Sequence, residues 1–209
     1  MSRSIPPYII EQPQSGIQLD IIRQAFLIAG HQVKQVVFTS NLRAERLMEK
    51  LMVDAIVNAP TTSRNFYLSE PVIFYLNTAI TLKARALPLN HVAQLSQYKV
   101  MAFKNAINSL GEDYTKAISR SELYTEVANQ HAQLERLYRG QVDVIIIDKR
   151  IFVYLNQTRM PAGQQLPEVS FHDILPISPR LLGFHNEQLR NQFNHGLKKL
   201  KNQQPQLFK

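Results

Sequence analysis

The stretch QVDVIIIDKRIF, residues 141–152, sets the architecture. Residues 142–147 are short, apolar and β-branched, which predicts a strand buried on both faces. Asp148 follows at once, and 149–155 returns to a helical pattern. On the amino side, 130–139 and 106–119 read as helices and 99–103 as a strand. Strands alternating with helices in this way argue for parallel sheet. On the carboxyl side, a loop rich in Pro and Gly (160–167) leads to strands at 168–171 and 181–185 and a final helix over 187–201.

The first half has the same rhythm. Leu19, Ile22, Phe26 and Ala29 recur three and four apart, which predicts an amphipathic helix closed by Gly30. A strand is expected over 33–38, then a helix capped by Asn41 and running to Leu51, then a short apolar run over 53–57. A polar loop, 60–64, precedes a long β-rich stretch, 72–82, read as a strand that crosses from one body to another. The fold class expected is therefore α/β, as two lobes of similar plan. Each has an apolar strand with an internal acid, Asp54 or Asp143, for which a structural role is expected.

Composition narrows the function. With 209 residues and 44% hydrophobic content, the chain is able to bury a substantial core or two modest ones. The absence of cysteine excludes disulfides, thiolate zinc sites, iron-sulfur clusters and cysteine nucleophiles. The net charge of +8 favours an acidic partner, but the basic residues are spread along the chain and mark no nucleic-acid face. Only Lys198, Lys199 and Lys201 cluster. The six histidines fall at no metal-ligand spacing, and no GxSxG, P-loop or GxGxxG motif is present. No cofactor or metal is implied. No run reaches the roughly 20 apolar residues of a membrane span. MSRSIPPYII lacks the apolar core of a signal peptide, so a leader is expected to have been removed or to lie upstream of Met1.

Six blocks, in order, resemble the bacterial extracellular solute-binding proteins of the polar amino-acid type (family 3). They are PPYII (6–10), GIQLDIIRQAF (16–26), LMEKLMVDAIVNAPTTSRNFYLSEP (47–71), YKVMAFKNAINSLGEDY (98–114), LERLYRGQVDVIIIDKRIFVYL (134–155) and ISPRLLGFHNEQLRNQFNHGLKKLK (177–201). The resemblance covers nearly the whole chain. It implies a type II periplasmic-binding fold: lobe one from 1–84 plus 178–209, lobe two from 85–177, joined by crossing strands, with a ligand cleft between. It also implies capture of a small polar solute, an amino acid or related carboxylate, for an ABC-type permease by a monomeric periplasmic protein that is not an enzyme. Relatives begin with a strand ahead of the PPYII block, and here only residues 1–5 precede it.

Arg64, after the turn Thr61, Thr62, Ser63, is placed to grip a carboxylate bidentately, with hydroxyls completing the shell; the alternative is a solvated loop arginine. In the family an Arg in this block holds the ligand's α-carboxylate, although the interval from Arg64 to Ser69 is shorter here than in most relatives. Asp148 stands at a strand's carboxyl end, where open α/β sheets bind ligands, and relatives use an Asp there for the α-amino group. It is equally suited to cap the following helix. Tyr8 resembles the aromatic that packs on the ligand, against ordinary core packing. Arg43 is a second candidate cation, in a helix whose first position carries Asn41 where a subgroup of relatives carries Trp. Asn105 stands where relatives carry Gly-Thr or Ser-Thr to bind the carboxylate; with Lys104 and Ala106 beside it, a more acidic or differently shaped solute is expected. The two rival readings are a ligand-sensing regulatory module of the same fold and a dehydratase-type lyase using Glu70, Glu112 or Asp173.

Overall fold

The computed structural model describes residues 4–60, 65–119, 121–159 and 165–208. In chain order its main elements are α1 (Ile17–Ile28), α2 (Asn41–Glu49), β1 (Ala55–Val57), β2 (Tyr67–Leu68), β3 (Ile73–Tyr75), β4 (Asn77–Leu82), β5 (Val100–Phe103), α3 (Ala106–Ser109), α4 (Glu112–Ile118), β6 (Tyr124–Val127), α5 (His131–Tyr138), β7 (Val144–Asp148), α6 (Lys149–Arg159), β8 (Val169–His172), β9 (Ser178–Arg180), β10 (Leu182–Phe184) and α7 (Glu187–Gln203). They form two compact units, Met1–Phe74 with Pro179–Lys209, and Tyr75–Ser178. Both passages of the chain lie in short strands, β3 and β9. The first comes at residue 74, upstream of the expected 84, because β4 is hydrogen-bonded into the sheet of the second unit.

In the first unit, α1 packs against α7. Phe26 of α1 lies 4.8 Å from Phe193 and 6.2 Å from Phe184, ring centre to ring centre, an aromatic cluster in tilted geometry. Gly196 sets the closeness of the two helices, since a Cβ there would stand 2.1 Å from the carbonyl oxygen of Ala25. No side chain caps α1. Instead the carbonyls of Pro7 and Tyr8 accept from the amides of Ile17 and Gln18 at 3.0 and 2.9 Å. That approach requires Gly16, whose φ is +116° and whose Cβ, were there one, would lie 2.6 Å from the Tyr8 oxygen.

The sheet of this unit runs β1-β10-β2 and is antiparallel, not parallel as the alternation of elements suggested. The strand expected over 33–38 does not form; residues 31–40 have no regular structure. β propensity describes fit to a paired, pleated surface, and a β-branched run without a ladder has no reason to become a strand. The second helix is capped by Ser40 and not Asn41, the Ser40 hydroxyl accepting from the amide of Arg43.

The second unit holds a five-stranded sheet ordered β6-β5-β7-β4-β8. β5 pairs in parallel with β6 and β7, whereas β4 is antiparallel to both β7 and β8. The apolar run of β7 is buried throughout. Val144 and Ile146 pack with Leu110, Tyr114 and Ile118, and alternation sends Ile145 and Ile147 to the opposite face. The expected 72–82 strand is broken at Leu76 into β3 and β4, and the expected 106–119 helix is broken before Gly111 into α3 and α4. β6 was not foreseen, because YTEV lacks an apolar run.

Candidate functional site

Three parallel strands of the second unit, β6, β5 and β7, end side by side, and polar groups gather where they end. Asp148, the last residue of β7, is 2% exposed. One carboxylate oxygen, Oδ1, accepts from the amides of Arg150 and Ile151 at 2.9 and 3.1 Å, which caps α6; Oδ2 accepts from the amide of Leu76 at 2.7 Å, at the break between β3 and β4. The capping role raised from the sequence is thus what the geometry displays. Asn77 lies opposite Asp148 in the register of β4 and β7, and its buried Nδ2 meets no acceptor among the described residues. Gln133 of α5 is fully buried and donates from Nε2 to the carbonyls of Met101 and Ile146, at 2.9 and 3.0 Å, tying the middle of β5 to that of β7.

Asn105 follows β5 in left-handed backbone, φ 67° and ψ 23°, and leads into α3. Its amide donates to Oε2 of Glu126 at 2.6 Å, and the amide of Ile107 donates to Oε1 of the same carboxylate at 2.9 Å. The Tyr124 hydroxyl donates to Oε1 at 2.7 Å, and the buried Tyr114 hydroxyl donates in turn to Tyr124 at 3.3 Å. Burial raises the pKa of both phenols, so they remain protonated donors. For Glu126, burial works against ionisation. The amide of Ile107, the Tyr124 hydroxyl and the amides of Asn105 and Ala106 outweigh it, and the pKa is lowered from its ordinary 4.5. Glu126 was missed in the sequence because β6 was missed; an acid two residues after Tyr124 in a polar segment carries no signal of its own.

The remaining sequence candidates sit elsewhere. Thr61, Ser63 and Arg64 lie outside the described residues. Tyr8 is fully buried in the first unit, so its side chain belongs to the protein interior as it stands, while Arg43 is exposed on α2. Asn105, two residues past β5, and Asp148, the last residue of β7, follow neighbouring parallel strands. Asp143 has the structural role expected of it: it pairs with Arg85 and accepts from the amide of Lys99 at 2.8 Å. Of the acids considered for lyase chemistry, Glu112 pairs with Lys116 and Asp173 with Lys149 on exposed surface. The Lys149 ammonium lowers the Asp173 pKa. Among the described residues no group of His, Asp and Glu is arranged to hold a metal ion, and no helix is long and apolar enough to cross a membrane. An open hollow of about 330 Å³ lies along Ile107, Asn108, Gly111, Glu112, Thr115 and Lys116, but it does not include Asp148 or Glu126.

The chain matches no family model, and no curated protein matches it. Solved structures do resemble it. The GluR0 ligand-binding core in complex with L-glutamate superposes with a TM-score of 0.73 at 15% identity, over 98% of this chain and 91% of that one. The corresponding core from Nostoc punctiforme, also with L-glutamate, gives 0.70 at 17% identity over 99% and 94%. An amino acid ABC transporter substrate-binding protein from Streptococcus pneumoniae, bound to L-arginine, gives 0.67 at 15% identity over 99% and 89%. The chain therefore has the two-unit α/β fold of these amino-acid-binding structures, the type II periplasmic-binding fold.

Proposed function

We propose that this protein is a solute-binding protein, not an enzyme, that captures a small polar solute of the amino-acid class and hands it to an ABC-type permease outside the cytoplasmic membrane. The observation that carries the reading is the likeness over 98–99% of the chain to structures that hold L-glutamate or L-arginine. Two features of the second unit support it. The ends of adjacent parallel strands are where open α/β sheets place ligands, and there the buried carboxylate of Asp148 stands one strand from the Asn105 turn. In this reading Asp148 and Asn105 are the candidate ligand-binding residues of the second unit, Asp148 still capping α6, and Arg64, Thr61 and Ser63 are those of the first. Tyr8, fully buried, and Arg43, exposed on α2, are the further candidates of the first unit.

The test is a thermal-shift and calorimetric titration of the purified protein against L-arginine, L-glutamate, L-glutamine and simple dicarboxylates. A solute present at 100 times its Kd stabilises the native state by about 2.7 kcal/mol, a readily seen rise in Tm. Saturable binding by one of them, weakened at least tenfold by Arg64→Ala, supports the reading. Binding of none of them rejects it.

A further inference from the structure

We infer that Glu126 is the specificity-determining residue of the second unit: a resident carboxylate that occupies the backbone amides of Asn105–Ile107, so that the solute presents a cationic or neutral group there and not an anionic one. This rests on the solute-binding reading and narrows its substrate class to amine- or guanidine-bearing solutes.

Left-handed backbone at Asn105 followed by helical backbone turns successive amides toward one point, a concavity that attracts anions. In this chain the concavity is filled from within. The β5–β6 register sets Glu126 beside Ala102, and the amide of Lys104 continues that pairing to the carbonyl of Val127, which places the carboxylate against the turn after β5. Its two oxygens accept from Asn105, Ile107 and Tyr124 at 2.6 to 2.9 Å. The Tyr114 hydroxyl orients that of Tyr124, so one proton on each phenol points along the chain toward the carboxylate. An incoming carboxylate would find these donors taken and a like charge in place, a combination that disfavours it both by lost hydrogen bonds and by repulsion. Asp148 is the next acid along the same strand ends, on β7. The occupied amides and the charge of Glu126 thus disfavour an acidic group at this turn, against the more acidic solute expected from Lys104, and leave it to an ammonium, guanidinium or neutral group.

The experiment uses the full chain as wild type, Glu126→Ala and Glu126→Gln, each checked for folding by circular dichroism. Calorimetric titration with L-arginine, agmatine and L-glutamate gives the cation-to-anion preference. In parallel, the Tm of each protein is followed in 0 to about 100 mM sodium acetate against matched sodium chloride, a carboxylate probe that works whatever the solute. The expected results are a wild-type preference for L-arginine or agmatine over L-glutamate, a drop of at least tenfold in that preference in Glu126→Gln, and a Tm rise with acetate in Glu126→Ala that wild type lacks. A wild-type preference for L-glutamate overturns the inference. So does an unchanged preference in folded Glu126→Gln, or an acetate response that Glu126→Ala shares with wild type. If wild type binds no solute while acetate stabilises Glu126→Ala alone, the solute-binding reading fails and the resident role of Glu126 stands. If Glu126→Ala does not fold, Glu126→Gln and Tyr124→Phe decide through the preference ratio.

Discussion

At the scale of the residue, Asp148 and Glu126 show how backbone amides hold a carboxylate at the end of a strand. Asp148 accepts three backbone hydrogen bonds while almost wholly enclosed. Hydrogen bonds to charged groups contribute roughly 1.5–3 kcal/mol each, and removing the acceptor strands the donors. Asp148→Ala is expected to destabilise the protein by about 3 kcal/mol in urea denaturation, and Asp148→Asn, which keeps one acceptor oxygen, by clearly less; equal losses would contradict this account. Glu126 makes a prediction in pH. Its folded pKa lies below the ordinary 4.5, so its contribution is fully present above that value and is lost as pH falls through the lowered one. Glu126→Gln should therefore be less stable than wild type at neutral pH, with the gap closing as the pH falls from 4.5 through the lowered value. A gap that is constant with pH would mean that its charge contributes nothing. Asp148 was marked in the sequence because it ends an obvious apolar strand. Glu126 was not, since its significance comes from a neighbouring turn that local pattern does not encode.

At the scale of the element, helix ends and helix spacing carry the stability that composition hides. The side chain of Asn186 accepts from the amide of Leu189 at 2.8 Å and caps α7. Asn186→Ala is expected to cost about 1 kcal/mol, read from the midpoint of chemical denaturation. Within the same helix, Gly196→Ala sets two effects against each other. Alanine gains up to about 1 kcal/mol of helix propensity over glycine. Its Cβ, however, would stand 2.1 Å from the Ala25 carbonyl oxygen, so α1 and α7 must move apart, and overpacking of this kind costs roughly 1–3 kcal/mol or more. The contact is with backbone, which has little room to yield, so net destabilisation is expected; a stabilised variant would show that the helices separate freely. The helices α1, α2, α5 and α7 were read to within about two residues at each end, whereas the single helix expected over 106–119 is two, and α6 runs on to Arg159 past the expected 155. The strand over 33–38 was misread because β-branched composition says nothing about whether a partner exists.

At the scale of the whole molecule, the chain forms two units with separate cores, one centred on Phe26, Phe184 and Phe193, the other on the strands β5 and β7 with Leu110, Tyr114 and Ile118. Damage confined to one core should be reported first by the amides of that core. In native-state hydrogen exchange, Gly196→Ala is expected to speed exchange in α1 and α7 by more than in β7, whose residues Ile145, Ile146 and Ile147 are fully buried in the other unit. Equal acceleration in both would mean that the two units open as one.

The sequence by itself determined the α/β class, the order of most helices and strands, the lack of cysteine chemistry and the strand end at Asp148, because these follow from local periodicity and residue type. Only the tertiary structure decided the antiparallel pairing of β1, β10 and β2, the antiparallel place of β4, and the seating of Glu126 on the Asn105 turn. Strand direction and side-chain meeting points depend on which segments pair across long stretches of chain, and local sequence does not specify that.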